Sequence, residues 1–430
     1  MRVHFIGIGG IGVSALAQYY LAKGHDVSGC DLVRSEITDA LKKKGAKITI
    51  GKNTARKDAN LTIYSPAVPQ NGRERFSTAM MGYPQALGKL TKEYFTIAVA
   101  GTHGKSTTTA MLSLILTKAG LNPFVIIGTK LKEFGNTNFR AGGKPIRNFA
   151  KTLLCGKNVL VIEADEHFAS FLHYWPQIIV ITNIEADHLD YYKNLKNVQN
   201  AFDKFIKHLP GEGKLIDLRN QSKLMGFVNQ SIDVEKLRKI LKVPGEHNIL
   251  NALAALTAAR ALKIPDKVSF KALSEYRGAW RRFEVKKAKA GNVDFTLVSD
   301  YGHHPTEVKV TLNAMEEKWP KNKIWCIFQP HQYQRTHYLF NDFVKTFREA
   351  SIDRIIITDI YDVAGRENKK FKNTVSSEKL VRKINSPKII YLPKNDILGY
   401  LSKNLPNKTI LAVMGAGDIY GLTKEFSYGM

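Results

Sequence analysis

Short apolar runs, rich in β-branched residues, recur along the chain, and each one stops abruptly at glycine or polar residues. A short run that is apolar throughout is typical of a strand covered on both faces, as in a mostly parallel sheet. Helix-compatible stretches follow many of these runs. The pattern predicts an α/β protein whose polar residues gather at the carboxyl ends of parallel strands, where such sheets bind ligands. Examples of the runs are "RVHFIGIGG", "FTIAVAGTHGKS", "NVLVIEADE", "QIIVITNIEADH" and "TILAVMGAGD".

The length of 430 residues exceeds one ordinary hydrophobic core and indicates two or three domains. The strand pattern is interrupted at residues 88–94, between the first and second domains, and again at residues 278–292. We interpret residues 278–292 as a hinge before the third domain. Between residues 208 and 248 the strand pattern fades. We expect three domains, at residues 1–93, 94–280 and 281–430.

Charge, cysteine content and hydropathy limit the kinds of protein that this chain could be. The formal net charge of +26 suits a nucleic-acid binder or an enzyme with polyanionic substrates, but the lysines are scattered, and no RNA-binding aromatic motif or zinc-finger spacing accompanies them. Cys30, Cys155 and Cys326 are far apart, which favours a reducing compartment and no structural zinc. No signal peptide fits before the first predicted strand, and no apolar run reaches membrane-spanning length. We expect a soluble cytoplasmic protein with no nucleic-acid or membrane partner.

The first glycine loop, in "VHFIGIGGIGVSALA" (3–17), has the spacing G-x-G-x-x-G at Gly7, Gly9 and Gly12. It lies between a predicted strand and a predicted helix, the arrangement that holds a diphosphate at a helix N-terminus. Asp31 ends the next apolar run, at the distance expected of an acid that binds a ribose. Taken alone, this loop predicts a dinucleotide site and a dehydrogenase.

A second phosphate loop, "AVAGTHGKSTTT" (98–109), changes that interpretation. Gly101 and Gly104 allow backbone amides to turn toward phosphate oxygens, Lys105 can reach the β- and γ-phosphates, and Ser106 can bind Mg²⁺. The motif departs from the longer P-loop form because Val99 stands where the first glycine would be. A protein with two phosphate sites is better explained as an enzyme that joins or transfers a group with ATP than as a dehydrogenase.

Two acidic segments, "VIEADE" (161–166) and "TNIEADHLD" (182–190), also end apolar runs. We expect both at the same sheet edge as Lys105, because the carboxyl ends of parallel strands meet there. Carboxylates beside an ATP loop are what Mg²⁺ needs, with phosphates completing its shell. The candidate ligands are Glu163, Asp165, Glu166, Asp187, His188 and Asp190.

Polar residues also cluster near the ends of later strands. "SDYGHHPTE" (299–307) and "FQPHQYQRT" (328–336) are dense in His, Tyr, Arg and Asp, but no nearby cysteine and no H-x-x-x-H spacing supports zinc. They favour recognition of a polar substrate, with Arg335 as the partner of a carboxylate. Either arginine of "WRRFE" (280–284) could neutralise a transferring phosphoryl group or lie exposed in the hinge.

These segments, in this order, resemble the Mur ligase family of cell-wall peptide synthetases. The resemblance spans nearly the whole chain, and "DYGHHPTE" together with "FQPH…RT" is its most specific part. It implies three α/β domains: a Rossmann-like first domain that binds a UDP-sugar, a central P-loop domain that binds ATP, and a Rossmann-like third domain that binds an amino acid. The first loop would then hold the diphosphate of the UDP-sugar instead of NAD.

The resemblance also implies a role for individual residues. Lys105, His188, Arg282 and Arg335 correspond to catalytic positions. The ATP contacts would be Gly101, Thr102, His103, Gly104, Lys105, Ser106, Thr107, Asn248, Asn251, Arg282 and Asp300, and the Mg²⁺ ligands Ser106, Glu163 and His188. The UDP-sugar contacts would be Gly7, Gly9, Gly10, Gly12, Asp31 and Ser65, and the amino-acid contacts Tyr301, His303, His304 and Arg335.

The activity implied is the ATP- and Mg²⁺-dependent joining of L-alanine to the carboxylate of UDP-N-acetylmuramate through an acyl phosphate, by a cytoplasmic monomer or weak homodimer that makes peptidoglycan precursors. The chain departs from many relatives at Gln332, where they carry a second arginine. An alternative within the family is a recycling ligase that attaches a preformed peptide. Alternatives from other classes are a NAD-dependent oxidoreductase, which rests on the first loop alone, and a basic nucleic-acid-binding protein, which rests on charge alone.

Overall fold

The computed structural model describes residues 1–54, 56–68, 79–145, 154, 156–219, 230–291, 293–363 and 369–426. The chain divides into two compact units. Unit 1 comprises Met1–Glu185, Lys196–Leu241 and Leu250–Tyr276, and unit 2 comprises Ala186–Leu195, Lys242–Ile249 and Arg277–Met430. Cys30 and Cys326 are buried free thiols, and Cys155 lies outside the described residues.

The first sheet of unit 1 is built by the N-terminal part of the chain. Its elements are β1 (Arg2–Ile6), α1 (Ile11–Ala22), β2 (Asp26–Asp31), α2 (Glu36–Lys43), β3 (Lys47–Ile50), β4 (Leu61–Tyr64), β5 (Met80–Gly82) and α3 (Tyr83–Glu93). All five strands are parallel, in the order β3-β2-β1-β4-β5. The first glycine loop therefore leaves the central strand, at the edge where the carboxyl ends of the strands meet.

The second sheet of unit 1 has the order β11-β10-β6-β9-β7-β8 and is parallel except for the β7–β8 pair. The P-loop leaves β6, whose six residues are all buried. The elements along this part of the chain are β6 (Phe95–Ala100), α4 (Lys105–Lys118), β7 (Phe124–Leu131), β8 (Thr137–Arg140), β9 (Val159–Glu163), β10 (Ile178–Ile181), α5 (Leu189–Tyr192), α6 (Leu195–Ile206), β11 (Lys214–Asp217), α7 (Gln230–Ile240), α8 (Glu246–Ala261) and α9 (Asp266–Glu275).

The sheet of unit 2 has the order β12-β13-β17-β14-β15-β16 and is parallel except for the β12–β13 pair. Its elements are β12 (Glu284–Ala290), β13 (Val293–Asp300), α10 (Pro305–Lys318), β14 (Ile324–Phe328), α11 (Tyr333–Tyr338), α12 (Phe340–Glu349), β15 (Arg354–Ile357), α13 (Lys369–Lys372), α14 (Ser377–Ile384), β16 (Ile389–Tyr391), α15 (Ile397–Asn404), β17 (Ile410–Met414) and α16 (Leu422–Glu425).

The side chains of β14 show why these strands are apolar throughout. Ile324, Cys326 and Phe328 belong to one buried cluster, whereas Trp325 and Ile327 belong to another. Successive side chains of a strand point to opposite faces, so both faces of this sheet are covered. The predicted α/β class with mostly parallel sheets is confirmed.

The prediction of a hinge at residues 278–292 is wrong for part of this segment. Its second half forms β12, which pairs antiparallel with β13 at the edge of the unit 2 sheet. Lysines occupy three of the seven positions of β12, and its side chains are mostly partly or fully exposed. An edge strand with one solvent-exposed face lacks the continuous apolar run that marks a buried strand. Lysine in an edge strand also discourages pairing with a strand of another molecule.

The faded region, residues 208–248, contains β11 and α7 in the part that the structure describes. Within the described ranges, no helix combines the length and the apolar character needed to cross a membrane. The expected domain boundaries, after residues 93 and 280, stay a prediction.

Candidate active site

The first glycine loop is fastened to the neighbouring strand β2. The N–H groups of Gly7 and Ile8 donate to the carbonyl oxygen of Cys30, at 2.9 and 3.1 Å. The N–H of Gly9 donates to Oδ2 of Asp31 at 2.8 Å. Gly7 has a φ of +75°, a conformation that favours glycine. Asp31, expected to bind a ribose, thus also holds the loop in shape.

The helix that follows this loop begins without a side-chain cap. Gly10 is the N-cap of α1. The N–H groups of Ile11, Gly12 and Val13 donate to no partner within the residues that the structure describes. Uncapped amides and the helix dipole make such an end attractive to an anion. The start of α1 is therefore a candidate site for a phosphate group.

Ser65, a predicted UDP-sugar contact, and Tyr83, which was not predicted, lie close against the loop. A Cβ atom added to Gly7 would lie 2.9 Å from Cβ of Ser65, and one added to Gly12 would lie 2.8 Å from the hydroxyl of Tyr83. Ser65 follows β4, and its N–H donates to the carbonyl oxygen of Ile6 at 2.9 Å. Gly12 is thus required for close packing of α1 against α3, as well as for access to the loop.

The P-loop wraps the N-terminus of α4. Gly101 has a φ of +135° and Gly104, the N-cap, a φ of +82°. A side chain on either glycine would overlap a neighbour, Thr182 in the first case and Asn251 in the second. Asn251 also accepts a hydrogen bond from Thr108, at 3.3 Å. The structure therefore brings Asn251 against the loop.

Asn183 braces the other side of the P-loop. Its side-chain oxygen accepts the N–H of His103 at 2.9 Å, and its carbonyl oxygen accepts the N–H of Thr102 at 3.1 Å. The hydroxyl of Thr182 donates to the carbonyl oxygen of His103 at 2.6 Å. Our sequence analysis missed both residues, although they directly follow an apolar run. Their position at the end of β10, next to β6, was the available signal.

Lys105 is held inside the loop by an ion pair. Its Nζ donates to Oε2 of Glu166 at 2.8 Å and to the carbonyl oxygens of Gly101 and Thr102, at 2.6 and 3.2 Å. Burial alone would lower the pKa of Lys105, but Glu166 and Asp165 outweigh it and raise the pKa. Burial raises the pKa of Glu166 to about 7 despite the ion pair. Lys105 is thus a positive charge at the N-terminus of α4.

Ser106 and Glu163 form an oxygen pair beside Lys105. The Ser106 hydroxyl donates to Oε1 of Glu163 at 2.6 Å. The other oxygen of Glu163 accepts the N–H of Gly128 in β7. A hydroxyl and a carboxylate at the start of a P-loop helix are hard oxygen donors of the kind that Mg²⁺ prefers. These two predicted ligands meet in the structure. Thr107, the next residue, is buried in the first turn of α4.

The remaining predicted metal ligand, His188, belongs to unit 2. It caps α5 in a left-handed conformation, with a φ of +52°. Its N–H donates to Oδ1 of Asp187 at 2.7 Å, and its Nε2 lies 3.8 Å from Oδ2 of that carboxylate.

Asp187 and Arg335 form a buried ion pair in unit 2. Nε of Arg335 donates to Oδ1 of Asp187 at 3.1 Å, and both side chains are less than 10% exposed. Burial would raise the pKa of Asp187, but Arg335 together with His188, His304 and His303 outweighs burial and holds that pKa well below its usual value. The guanidinium also lies 3.1 Å from Nδ1 of His331 and donates to the Gln332 side chain at 3.3 Å. The predicted carboxylate clamp already has an internal carboxylate partner.

A small pocket lies beside this ion pair. It is lined by Ala186, Asp187, His188, Leu189, Asp190, Arg335, Tyr338 and Leu339. Charged and aromatic groups thus share its wall with apolar side chains, which suits a small polar molecule.

The residues predicted to contact the amino acid lie around Glu307. His303 Nδ1 is 3.4 Å from the Glu307 carboxylate and 3.1 Å from the carbonyl oxygen of Tyr301. Burial lowers the pKa of His303 to about 4, so this imidazole is neutral near pH 7. His304 caps α10: its Nδ1 accepts the N–H of Thr306 at 3.3 Å. His304 therefore has a structural role, whereas His303 is held beside Glu307 and its ring lies 5.4 Å from that of Tyr301.

Arg282 and Asp300 occupy the turn before β12 and the end of β13. Arg282 lies 3.6 Å from Glu307. Asp300 is buried and accepts the N–H groups of Phe283 and Gly302 at 2.8 and 2.7 Å. Burial raises the pKa of Asp300. Asn248 donates to the carbonyl oxygen of Pro244 at 2.6 Å and so fastens the turn that opens α8.

Three family models match successive parts of the chain. Residues 2–94 match the Mur ligase family catalytic domain, residues 99–240 the Mur ligase middle domain, and residues 281–417 the Mur ligase glutamate ligase domain. Together they cover the three sheets. The oxidoreductase and nucleic-acid-binding alternatives gain no support from these matches.

Relatives of similar length extend the comparison. The chain is 37% identical to a UDP-N-acetylmuramate–L-alanine ligase of Clostridium acetobutylicum, over 99% of this chain and 97% of the relative. It is 38% identical to the enzyme of the same name from Clostridium botulinum, over 97% and 96%. The crystal structure of a UDP-N-acetylmuramate–alanine ligase from Thermotoga maritima superposes with a TM-score of 0.75 at 25% identity, over 99% of this chain and 98% of that one. The chain therefore belongs to the Mur ligase family.

Proposed function

We propose that this protein is an ATP-dependent ligase that joins L-alanine to the carboxylate of UDP-N-acetylmuramate in peptidoglycan precursor synthesis. One observation carries the proposal: unit 1 holds two helices, α1 and α4, that each begin after a glycine turn without a side-chain cap, one beside each of its two mostly parallel sheets. A ligase that activates a sugar nucleotide with ATP needs both. The identity with the clostridial ligases supports this choice of substrates.

The P-loop supplies the ATP half of the site. Lys105 would exchange Glu166 for the β- and γ-phosphates of ATP, which are stronger and more numerous acceptors. Ser106 and Glu163 would hold Mg²⁺, and the resemblance to the Mur ligases makes His188 a further proposed ligand. The ion supplies neutralisation of the charge on the phosphate oxygens.

The reaction needs positioning more than covalent help from the protein. A carboxylate oxygen of the muramate attacks the γ-phosphorus of ATP, the bond to the β–γ bridging oxygen breaks, and ADP leaves. The amine of alanine, having lost one proton to solvent, attacks the acyl carbon. Inorganic phosphate leaves with the electrons of the acyl–oxygen bond, and the nitrogen loses a second proton to solvent as the amide forms. Lys105 and Arg282 would hold the phosphate charge, because both are cations paired with a carboxylate, Glu166 in the first case and Glu307 in the second.

Arg335 would hold the carboxylate of the amino acid. Its guanidinium borders the small pocket of unit 2 while Asp187 fixes its Nε, so the terminal nitrogens are oriented before substrate arrives. Gln332 supports that guanidinium and does not add a second positive charge. We place the reaction in the cytoplasm, which supplies ATP, in a monomer or weak homodimer.

The test is release of inorganic phosphate from ATP in the presence of UDP-N-acetylmuramate and one amine donor at a time. We expect release with L-alanine and at least tenfold less with glycine or L-serine, about the discrimination that one methyl or hydroxyl gives. Release only with a tripeptide would assign the chain to the peptide-attaching ligases. No release with any donor, together with tight NADH binding, would overturn the proposal.

A further inference from the structure

Helix α1 is buried on more sides than its packing against its own sheet explains. Residues 13–20 are all buried, so the helix has no wetted face over two turns. The reason is the β7–β8 hairpin of the second sheet, which packs against α1. The ring of Tyr19 meets that of Phe124 at 5.8 Å and that of Phe139 at 6.5 Å, both edge to face.

A buried hydrogen-bond network fixes the register of this packing. Nδ2 of Asn138, in β8, donates to Oγ of Ser14 at 2.9 Å and to the carbonyl oxygen of Ile11. Nε2 of Gln18 donates to Oδ1 of Asn138 at 2.7 Å, and the Thr137 hydroxyl donates to Oε1 of Gln18 at 2.7 Å. Asn138 and Gln18 are 4% and 6% exposed. Buried amides that lose their partners are costly, so the network permits one alignment of α1 on β8.

The same hairpin touches the P-loop half of the site. β7 pairs with β9, and the N–H of Gly128 in β7 donates to Glu163 at the end of β9. Glu163 in turn accepts the hydroxyl of Ser106. The hairpin is thus bonded at one end to the oxygen pair beside Lys105 and at the other to the first turn of α1.

We propose that Asn138 is a positioning residue, which fixes the first turn of α1 relative to the P-loop sheet and so sets where the diphosphate of the UDP-sugar lies relative to ATP. The inference rests on the proposed function. Asn138 donates to Ile11 and Ser14, which lie in the same first turn as the uncapped amides of α1. The muramate carboxylate must reach the γ-phosphorus, so a shift of this turn would displace the sugar from its attack geometry.

The experiment compares three variants by steady-state kinetics and thermal melting. Asn138→Asp keeps the shape and the acceptor for Gln18 but loses both donations to α1. Ser14→Ala removes one of those acceptors and is a milder change. Thr409→Val is the matched control, because it removes one buried hydrogen bond, to the carbonyl oxygen of Pro406 at 2.6 Å, in unit 2.

We expect Asn138→Asp to raise the KM for UDP-N-acetylmuramate by about tenfold, the factor that corresponds to one or two lost hydrogen bonds, and Ser14→Ala to raise it less. The KM for ATP should stay within about twofold of wild type, since distant sites contribute independently. Thr409→Val should lower the melting temperature and leave both KM values unchanged. If Asn138 only stabilises the fold, the Asn138→Asp preparation would contain less active protein, so the apparent kcat would fall and neither KM would change.

An Asn138→Asp protein whose KM for the UDP-sugar matches that of Thr409→Val would overturn the inference. Wild-type protein that releases no phosphate would instead overturn the proposed function. In that case calorimetric binding of UDP decides the inference by itself. Binding about tenfold weaker in Asn138→Asp than in wild type supports it, and equal binding in the two proteins overturns it.

Discussion

At the scale of single residues, the site is built from charges that already have partners. Lys105 is paired with Glu166 and Arg335 with Asp187, and each of these four side chains is at most 15% exposed. A paired buried cation keeps its charge and its direction while it waits for an anionic substrate. If these residues bind substrate as proposed, binding would exchange one anionic partner for another and would avoid the cost of an unpaired buried charge.

The first prediction concerns Lys105. Lys105→Ala should lower phosphate release by about 10³-fold, because within the P-loop only this side chain brings a positive charge to the β- and γ-phosphates. Calorimetric binding of UDP-N-acetylmuramate should stay near the wild-type value, since we propose that the sugar nucleotide binds at the first loop. Near-normal turnover in Lys105→Ala would show that this loop does not serve ATP.

The second prediction separates two roles of Arg335. Arg335→Lys should raise the KM for L-alanine by about one to two orders of magnitude, since an ammonium cannot match the fork of a guanidinium on a carboxylate. The KM for ATP should hardly change. The measurement is steady-state kinetics with both substrates.

Asp187→Asn is the control for that prediction, because it keeps an oxygen near Arg335 and removes the charge of its internal partner. Asp187→Asn should lower the melting temperature more than it changes the KM for L-alanine. If Arg335 only stabilises unit 2, both variants would have a lower melting temperature than wild type and a wild-type KM for L-alanine.

At the scale of elements, each phosphate site is a strand, a glycine turn and the start of a helix. The helices differ in how the turn is closed: α1 begins at Gly10 after a loop held by Asp31, and α4 begins at Gly104 in a left-handed conformation. Both helices lack a side-chain cap, so their first amides are left for a ligand.

The third prediction tests the first of these turns. Gly9→Val should weaken the binding of UDP-N-acetylmuramate by about tenfold or more, because a Cβ atom at Gly9 would lie 2.8 Å from Oδ2 of Asp31 and would force the loop outward. ATP affinity should remain close to wild type. Gly399→Ala in α15 is the control, since a Cβ atom there meets no atom within 4 Å. Unchanged UDP-sugar binding in Gly9→Val would place that substrate elsewhere.

At the scale of the whole molecule, the dominant feature is a formal net charge of +26. Scattered lysines raise the potential around the protein, which attracts anions over distances of about a Debye length. The two phosphate-bearing substrates are polyanions, whereas alanine at neutral pH has no net charge. The positive potential is therefore expected to attract ATP and UDP-N-acetylmuramate but not alanine.

The fourth prediction follows from that difference. Raising KCl from about 0.05 to 0.5 M should lower kcat/KM for ATP and for UDP-N-acetylmuramate by about three- to tenfold, because salt screens long-range attraction. The KM for L-alanine should stay constant over the same range. The measurement is a salt series at fixed pH with each substrate varied in turn. A parallel loss for all three substrates would mean that salt alters the enzyme itself.

Local sequence was sufficient for the class of fold and for both phosphate loops. A strand, a glycine turn and a helix are contiguous in the chain, at residues 2–22 and 95–118, so their geometry is encoded locally. The apolar runs marked strands buried on both faces. The pattern failed at β12, where a lysine-rich edge strand has no continuous apolar run. The family followed from the order of motifs along nearly the whole chain.

Only the tertiary structure decided which distant residues are partners. Gln18 meets Asn138 across 120 positions, and Asp187 meets Arg335 across 148. The same holds for Asn183 at the P-loop and for Glu163 at Gly128. A hydrogen bond between remote positions leaves no periodicity in either segment, because it depends on how sheets and helices pack and not on local backbone preference. The sequence thus determined the two phosphate loops and the fold that carries them, and packing alone determined the contacts that hold those loops in place.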